Sequence, residues 1–167
     1  MKDSRGPVFF VQERIGRNRR RFKCFKFRSM VANAEDILNR NAEMRKAYEG
    51  KYKLDSDPRI TPFGRFIRRT SIDELPQFFN VLKGEMTLVG PRPKVPKEAE
   101  HYGPYGEATW SVKPGLGGLW QVLGRSDLTY EERIATEVMY INMRSTRVDL
   151  ILLWRTLFVV LGCKGAY

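Results

Sequence analysis

The apolar positions of this chain fall into short runs of different period. Residues 8–14 and 22–27 are rich in aromatic and β-branched side chains, and Gly16-Arg17-Asn18 stands between them as a turn signal, so the pattern predicts a hairpin with a strongly basic loop. Over residues 32–49 the period becomes helical. Ala34, Ile37, Leu38 and Ala42 share one face, charges occupy the rest, and Gly50 supplies a stop. Asp-Pro and Thr-Pro steps mark residues 55–62 as a loop, and residues 63–69 mix apolar and basic positions at helical spacing. That segment is expected along a membrane surface, with Phe63, Phe66 and Ile67 turned inward.

Ser71-Ile72-Asp73-Glu74 fits a capping box opening a helix that runs to about Lys83 and stops at Gly84, with Pro76 tolerated near the first turn. Residues 90–96 and 113–118 hold too much proline and glycine for a helix and are expected to be ordered loops around a cleft. A second capping box, Thr129-Tyr130-Glu131-Glu132, opens a helix whose Ile134, Val138 and Ile141 share a face. The last helix spans roughly residues 149–161. Its apolar run is interrupted by Asp149 and Arg155 and falls short of the roughly 20 residues that cross a bilayer. The fold expected is α+β: one domain over residues 1–167, a small antiparallel hairpin packed with several helices, some of them amphipathic and interfacial. At 167 residues and 42% hydrophobic content the chain can fill a core.

Charge narrows the partners. The formal net charge of +11 draws anions, and much of it sits in two stretches without an acid, residues 14–28 and 59–69. Nucleic acid, anionic lipid and phosphorylated small molecules all satisfy that demand. Cys24 and Cys163 lack metal-ligand spacing and read as free thiols of a reducing compartment. His101, the only histidine, lies among Tyr102, Gly103 and Pro104 in a loop-like composition, so a histidine-based mechanism has one poorly placed base and carboxylates must carry any catalysis.

Asp73 and Glu74 are the acids best placed for it. A helix start and the neighbouring Arg68 and Arg69 favour the ionised carboxylate, so Asp73 is expected to stay charged for attack or metal binding; one acid of the pair can reach a substrate while the other caps the helix or holds Mg²⁺. Arg92, clamped between Pro91 and Pro93, suits bidentate phosphate binding. Gly115, Gly117 and Gly118 permit close approach of a ligand to the backbone, without a nucleotide fingerprint.

These pieces form a longer pattern. Lys26-Phe27-Arg28-Ser29-Met30, Thr61-Pro62-Phe63-Gly64, Thr70-Ser71-Ile72-Asp73-Glu74-Leu75-Pro76-Gln77, Leu88-Val89-Gly90-Pro91-Arg92-Pro93, Lys113-Pro114-Gly115-Leu116, Trp120-Gln121-Val122 and Gly124-Arg125 follow in an order that resembles the monotopic phosphoglycosyl transferases, also called bacterial sugar transferases. The resemblance runs from Gly6-Pro7-Val8-Phe9-Phe10 to the end of the chain. It implies an Mg²⁺-dependent transfer of a sugar-1-phosphate from a UDP-sugar to undecaprenyl phosphate. Asp73 would attack the sugar-bearing phosphate and hold a phosphosugar ester, Glu74 would help bind Mg²⁺, and Lys26, Arg68 and Arg92 would neutralise phosphate charge. Gln121 and Arg125 would contact the nucleotide or its phosphates. It further implies a place on the cytoplasmic face of the bacterial inner membrane and an apolar membrane-inserted segment ahead of the Gly6–Phe10 motif, about where this chain begins. Ile72 replaces the usual leucine, a mild apolar exchange. The ending Lys164-Gly165-Ala166-Tyr167 resembles members that initiate exopolysaccharide or O-antigen synthesis, which favours a hexose such as glucose or galactose. Assembly into a homo-oligomer stays open. The rival reading is a nucleic-acid-binding module using the basic hairpin with Phe22, Phe25 and Phe27 as stacking surfaces; it leaves the acid pair and the Pro-Arg-Pro clamp unexplained.

Overall fold

The structure, a computed structural model, describes residues 6–51, 54, 56–123 and 128–161. Arg125, Cys163 and residues 164–167 lie outside the described residues, as does the side chain of His101.

The hairpin forms as its aromatic and β-branched content dictates. Strand β1 (Phe9–Ile15) pairs antiparallel with β2 (Arg21–Phe27), from Phe9 opposite Phe27 to Ile15 opposite Arg21. The Phe9 and Phe27 rings stack with centroids 5.5 Å apart. Between the strands, Asn18 and Arg19 turn the chain in the left-handed region, which Asn accepts more readily than most residues. The loop cations reach solvated carboxylates, Arg19 to Glu107 and Arg21 to Glu13. The rings named for stacking are engaged: Phe22 is buried, Phe25 lies beneath the Lys83 ammonium, and Phe27 lies on Phe9.

The expected helix over residues 32–49 divides at Asn41 into α1 (Ala34–Arg40) and α2 (Ala42–Lys51). Asn41 accepts the Met44 N–H on its side-chain oxygen and so starts the second helix. Helix α3 (Pro62–Arg69) is capped by Thr61, whose hydroxyl accepts from Gly64 N–H at 2.9 Å. Gly64 is needed here, because a Cβ would collide with the Ser29 carbonyl on which the helix rests. Ile67 is buried in the protein while Phe63 and Phe66 stay exposed, so only the two rings are free to meet a membrane. After it come a 3-10 helix (Ile72–Gln77) and α4 (Phe78–Leu82).

Asn80 of α4 clips this segment to the hairpin. Fully buried, it donates to the Lys23 carbonyl and to Glu85 Oε2, both at 2.7 Å, and accepts from Phe25 N–H at 3.1 Å. Three of its four hydrogen-bonding capacities are thereby met across two elements. Phe22, Cys24, Met86 and Val81 pack beneath the clip.

One expected loop contains a strand. Gly115–Gly117 forms β4, parallel to β3 (Thr87–Val89), a pairing that low-propensity glycine does not advertise. The strands meet because nothing stands between them: a Cβ on Gly115 would collide with the Gly90 backbone nitrogen. Short helices α5 (Pro96–Ala99), α6 (Gly106–Trp110) and α7 (Leu119–Leu123) follow, with a 3-10 helix (Glu100–Tyr105) before α6. Helix α8 (Tyr130–Met143) carries the expected capping box, with Thr129 and Glu132 bonding each other's backbone N–H. Helix α9 (Thr146–Leu161) is the last described element, and among the described residues no helix is long and apolar enough to cross a membrane. Ile15, Tyr102, Trp110 and Ile134 form a second core patch, and Val89, Tyr140 and Leu152 a third. The architecture is α+β, as the sequence pattern predicts.

Candidate active site

The clip at Asn80 sets the acid pair against β2. The Lys26 ammonium donates to Glu74 Oε1 at 2.7 Å, a pair about one-quarter to one-third exposed. Burial alone would raise Glu74, but the charge and hydrogen bond of Lys26 override it and hold the carboxyl below its usual range. The expected first capping box is not formed. Ser71 takes a left-handed conformation, its side chain does not cap the helix, and Glu74 turns to Lys26 instead.

Asp73 stays largely charged, as expected, but its pKa moves up where the helix start and the arginines imply a move down. It is 8% exposed, and among the described residues no side chain donates a hydrogen bond to it. Burial, followed by the charge of Glu74, pushes its pKa up to about 6 against the opposing pull of Lys26 and Arg68. A short 3-10 turn supplies little of a long helix's terminal field, so desolvation prevails. At pH 7 about nine-tenths of the group is still ionised.

A small hollow of about 20 Å³ opens beside the pair, walled by Lys26, Glu74, Arg92, Arg14, Gln77 and Trp120 among others. That is space for one water or one phosphoryl oxygen, and a sugar or base must lie outside it. Of the residues singled out in the sequence, Lys26, Glu74 and Arg92 come together here. Asp73 and Arg68 do not line the wall; Arg68 donates from Nε to Ser29 Oγ at 2.8 Å, close enough to Asp73 to act on its charge. Gln121 is also absent from the wall, because its side-chain oxygen accepts from Gly118 N–H at 2.6 Å and braces the turn after β4. Its neighbour Trp120 faces the hollow instead.

The Pro91-Arg92-Pro93 loop is fixed from both sides. Gly90 N–H donates to the Gly117 carbonyl and Gly115 N–H to the Pro91 carbonyl, both at 2.8 Å. From behind, Glu137 of α8 accepts Arg92 N–H at 3.3 Å and the Lys94 ammonium at 2.7 Å on one oxygen, and the Tyr102 hydroxyl at 3.0 Å on the other. Lys94, Glu98, Tyr102 and Glu137 are each at most 1% exposed. Sequence reasoning missed this cluster and Arg14, Gln77 and Trp120, since no local period shows which polar residues the fold will bury together.

Among the described residues, no three His, Cys, Asp or Glu side chains converge as a metal site. One or two carboxylates suffice for Mg²⁺ when substrate phosphates and waters supply the remaining oxygens, so the acid pair fits that ion.

Residues 1–163 match the model of a family described as bacterial sugar transferase. The chain is 45% identical to a UDP-galactose-lipid carrier transferase of Erwinia amylovora over 99% of its own length and 35% of that protein. It is 46% identical to an undecaprenyl-phosphate galactose phosphotransferase of Salmonella typhimurium over 97% of this chain and 35% of the relative. With the exopolysaccharide production protein ExoY of Sinorhizobium fredii it shares 39% identity over 97% of this chain and 74% of the relative. The chain thus spans about a third of the length of the first two of these relatives. By its sequence from end to end, this chain belongs to the bacterial sugar transferase family.

Proposed function

We propose that this domain transfers a sugar-1-phosphate, from a hexose linked to UDP, onto undecaprenyl phosphate, and so begins the assembly of a polysaccharide. The observation that carries the reading is the division of labour within the acid pair. Glu74 is tied to Lys26 and held ionised, whereas Asp73 carries no side-chain hydrogen bond and has a raised pKa. Neighbouring carboxylates driven apart in this way take different roles. The untied and more basic one is the nucleophile.

In the first half-reaction an Asp73 carboxylate oxygen attacks the phosphorus bearing the sugar. The bond from that phosphorus to the bridging oxygen breaks, and UMP leaves with the electron pair. In the second, an oxygen of undecaprenyl phosphate attacks the same phosphorus and the aspartyl ester oxygen departs, which restores Asp73 and leaves a lipid-linked diphosphosugar. Anion meets anion in both steps, and Lys26 and Arg92 lower that repulsion from the hollow. Asp73 and Glu74 would hold Mg²⁺, which when bound adds positive charge at the phosphates. For reaction, the substrate phosphorus must reach the narrow exposed edge of Asp73 while a phosphoryl oxygen enters the neighbouring hollow.

A membrane surface suits the acceptor. Phe63, Phe66, Ile72, Leu75, Phe78, Phe79 and Leu82 stand exposed on the elements that carry or flank the acid pair, and Phe79 and Leu82 are 60% and 83% exposed. Such a concentration of exposed rings and aliphatic chains is unusual for a face turned only to water. Relatives named for galactose and for glucose support a hexose donor, and others named for exopolysaccharide production support the wider role.

The test is to incubate the protein in lipid vesicles with Mg²⁺ and UDP-galactose or UDP-glucose labelled in the sugar. Labelled protein before any acceptor is added, chased into lipid by undecaprenyl phosphate, is the result expected. Transfer to lipid with no label trapped on the protein under any quench would sink the covalent route.

A further inference from the structure

The hollow holds more positive charge than the acid pair balances. Arg14, toward the end of β1, is 8% exposed and lines the same hollow as Lys26, Arg92 and Glu74. One terminal nitrogen donates to the Pro93 carbonyl at 3.0 Å, the other to Gln12 Oε1 at 2.6 Å, and buried Nε has no partner. A guanidinium has five N–H donors, so most of this one is unassigned. Among the described residues no carboxylate oxygen lies within 4.0 Å of the guanidinium nitrogens of Arg14 or Arg92, Glu137 bonding Arg92 only at its backbone N–H, and Glu74 is already bonded to Lys26.

Burying an arginine costs several kcal/mol unless an anion answers it. Water in the hollow would solvate these groups without neutralising them. If Arg14 were only a strut for the Pro91-Arg92-Pro93 loop, a single donor to the Pro93 carbonyl would be enough, and an uncharged side chain could supply it. The crowding registers on Arg14 itself, whose pKa is pushed down to about 10 by burial and then by Arg92.

We infer that Arg14 is a further phosphate-binding residue, gripping together with Arg92 the phosphoryl oxygen that enters the hollow. The inference rests on the transferase reading, which supplies two sources of phosphate: the diphosphate of the UDP-sugar and the head of the lipid acceptor.

The experiment compares wild-type protein with Arg14→Gln and Arg14→Lys in vesicles. It measures KM for UDP-sugar and for undecaprenyl phosphate, equilibrium binding of UDP and of uridine, and the melting temperature. Arg14→Gln should raise KM for the substrate whose phosphate enters by about ten- to a hundredfold, the loss expected for a charge-assisted contact, and Arg14→Lys by less. A rise for UDP-sugar, with weaker binding of UDP but unchanged binding of uridine, assigns the donor. A rise confined to the lipid substrate assigns the acceptor. Unchanged KM for both substrates overturns the inference, as does equal loss of UDP and uridine binding with a lowered melting temperature in both variants, the signature of a strut. Wild-type protein that transfers no sugar phosphate would instead overturn the transferase reading on which the inference stands.

Discussion

Two lysine–glutamate pairs in this protein have the same 2.7 Å contact and opposite surroundings. Lys94–Glu137 is sealed, at 0% and 1% exposed, with Tyr102, Arg92 N–H and nearby Glu98 completing the network. Lys26–Glu74 is about one-quarter to one-third exposed and borders a hollow lined by Arg14 and Arg92, neither of whose guanidinium groups has a carboxylate within 4.0 Å among the described residues. The sealed pair can hold a loop but has no access to substrate. The open pair gives up part of its stabilisation to solvent and keeps coordination free for a ligand. Distance alone does not separate a structural ion pair from a functional one; access and unmet demand do.

The sharpest break in that comparison comes from Asp73→Asn beside the open pair. Transfer should fall by more than about a thousandfold, as removal of a nucleophile does, while the protein becomes more stable at pH 7. The sign follows from the raised pKa. Between about 3.8 and 6 the folded state binds more protons than the unfolded, so stability falls as pH rises through that window, and an uncharged side chain escapes the loss. The gain is about 2–3 kcal/mol, at roughly 1.4 kcal/mol per pH unit, and should shrink toward pH 4 in urea titrations. In the sealed network, Lys94→Met should cost about 3–5 kcal/mol of stability by the same titration, because Glu137 is left buried without its cation.

Lys26→Met sharpens the contrast. Partial exposure limits its effect on stability to less than about 1 kcal/mol, yet transfer should drop about ten- to a hundredfold, since Glu74 loses its partner and the phosphate loses a cation. Equal damage to stability by Lys94→Met and Lys26→Met would dissolve the distinction between the two sites. The smallest effect is that of pH on the rate. With Asp73 titrating near 6, transfer should fall about tenfold from pH 7 to pH 5 along a one-proton curve, provided the phosphates' own ionisation is corrected for.

Much of the fold could be read from the chain. The hairpin follows from aromatic and β-branched content, α3 from Thr61-Pro62, and α8 from its capping box. The break at Asn41 escaped because apolar spacing continues across it, and β4 escaped because Gly-Leu-Gly becomes a strand only through the approach of another backbone. At the site, Lys26, Glu74 and Arg92 were legible from motif and charge. Arg14 was hidden within a basic stretch in which Arg17, Arg19, Arg20 and Arg21 are solvated and Arg28 is buried as well, and only the tertiary fold distinguishes it. The basicity of Asp73 was predicted with the wrong sign, since sequence shows neighbouring charges but not the loss of water.

The amide of Asn80 sets a rule for chain length. It reads the backbone of β2 at two places and its own descending turn at Glu85, so the span from Asn80 to Met86 is gauged against the strand beside it. An inserted residue there would break the bond from Asn80 to Glu85 or pull the amide off β2, and with it the hold on the acid pair. The Arg17–Arg19 turn at the other end of the hairpin is closed only by its own backbone, Gly16 N–H to the Arg20 carbonyl and Arg20 N–H to the Arg17 carbonyl, and by the exposed Arg19–Glu107 pair. Grafts and tags therefore belong at the tip of the hairpin, and the seven-residue stretch at its flank is the one length that a redesign must preserve.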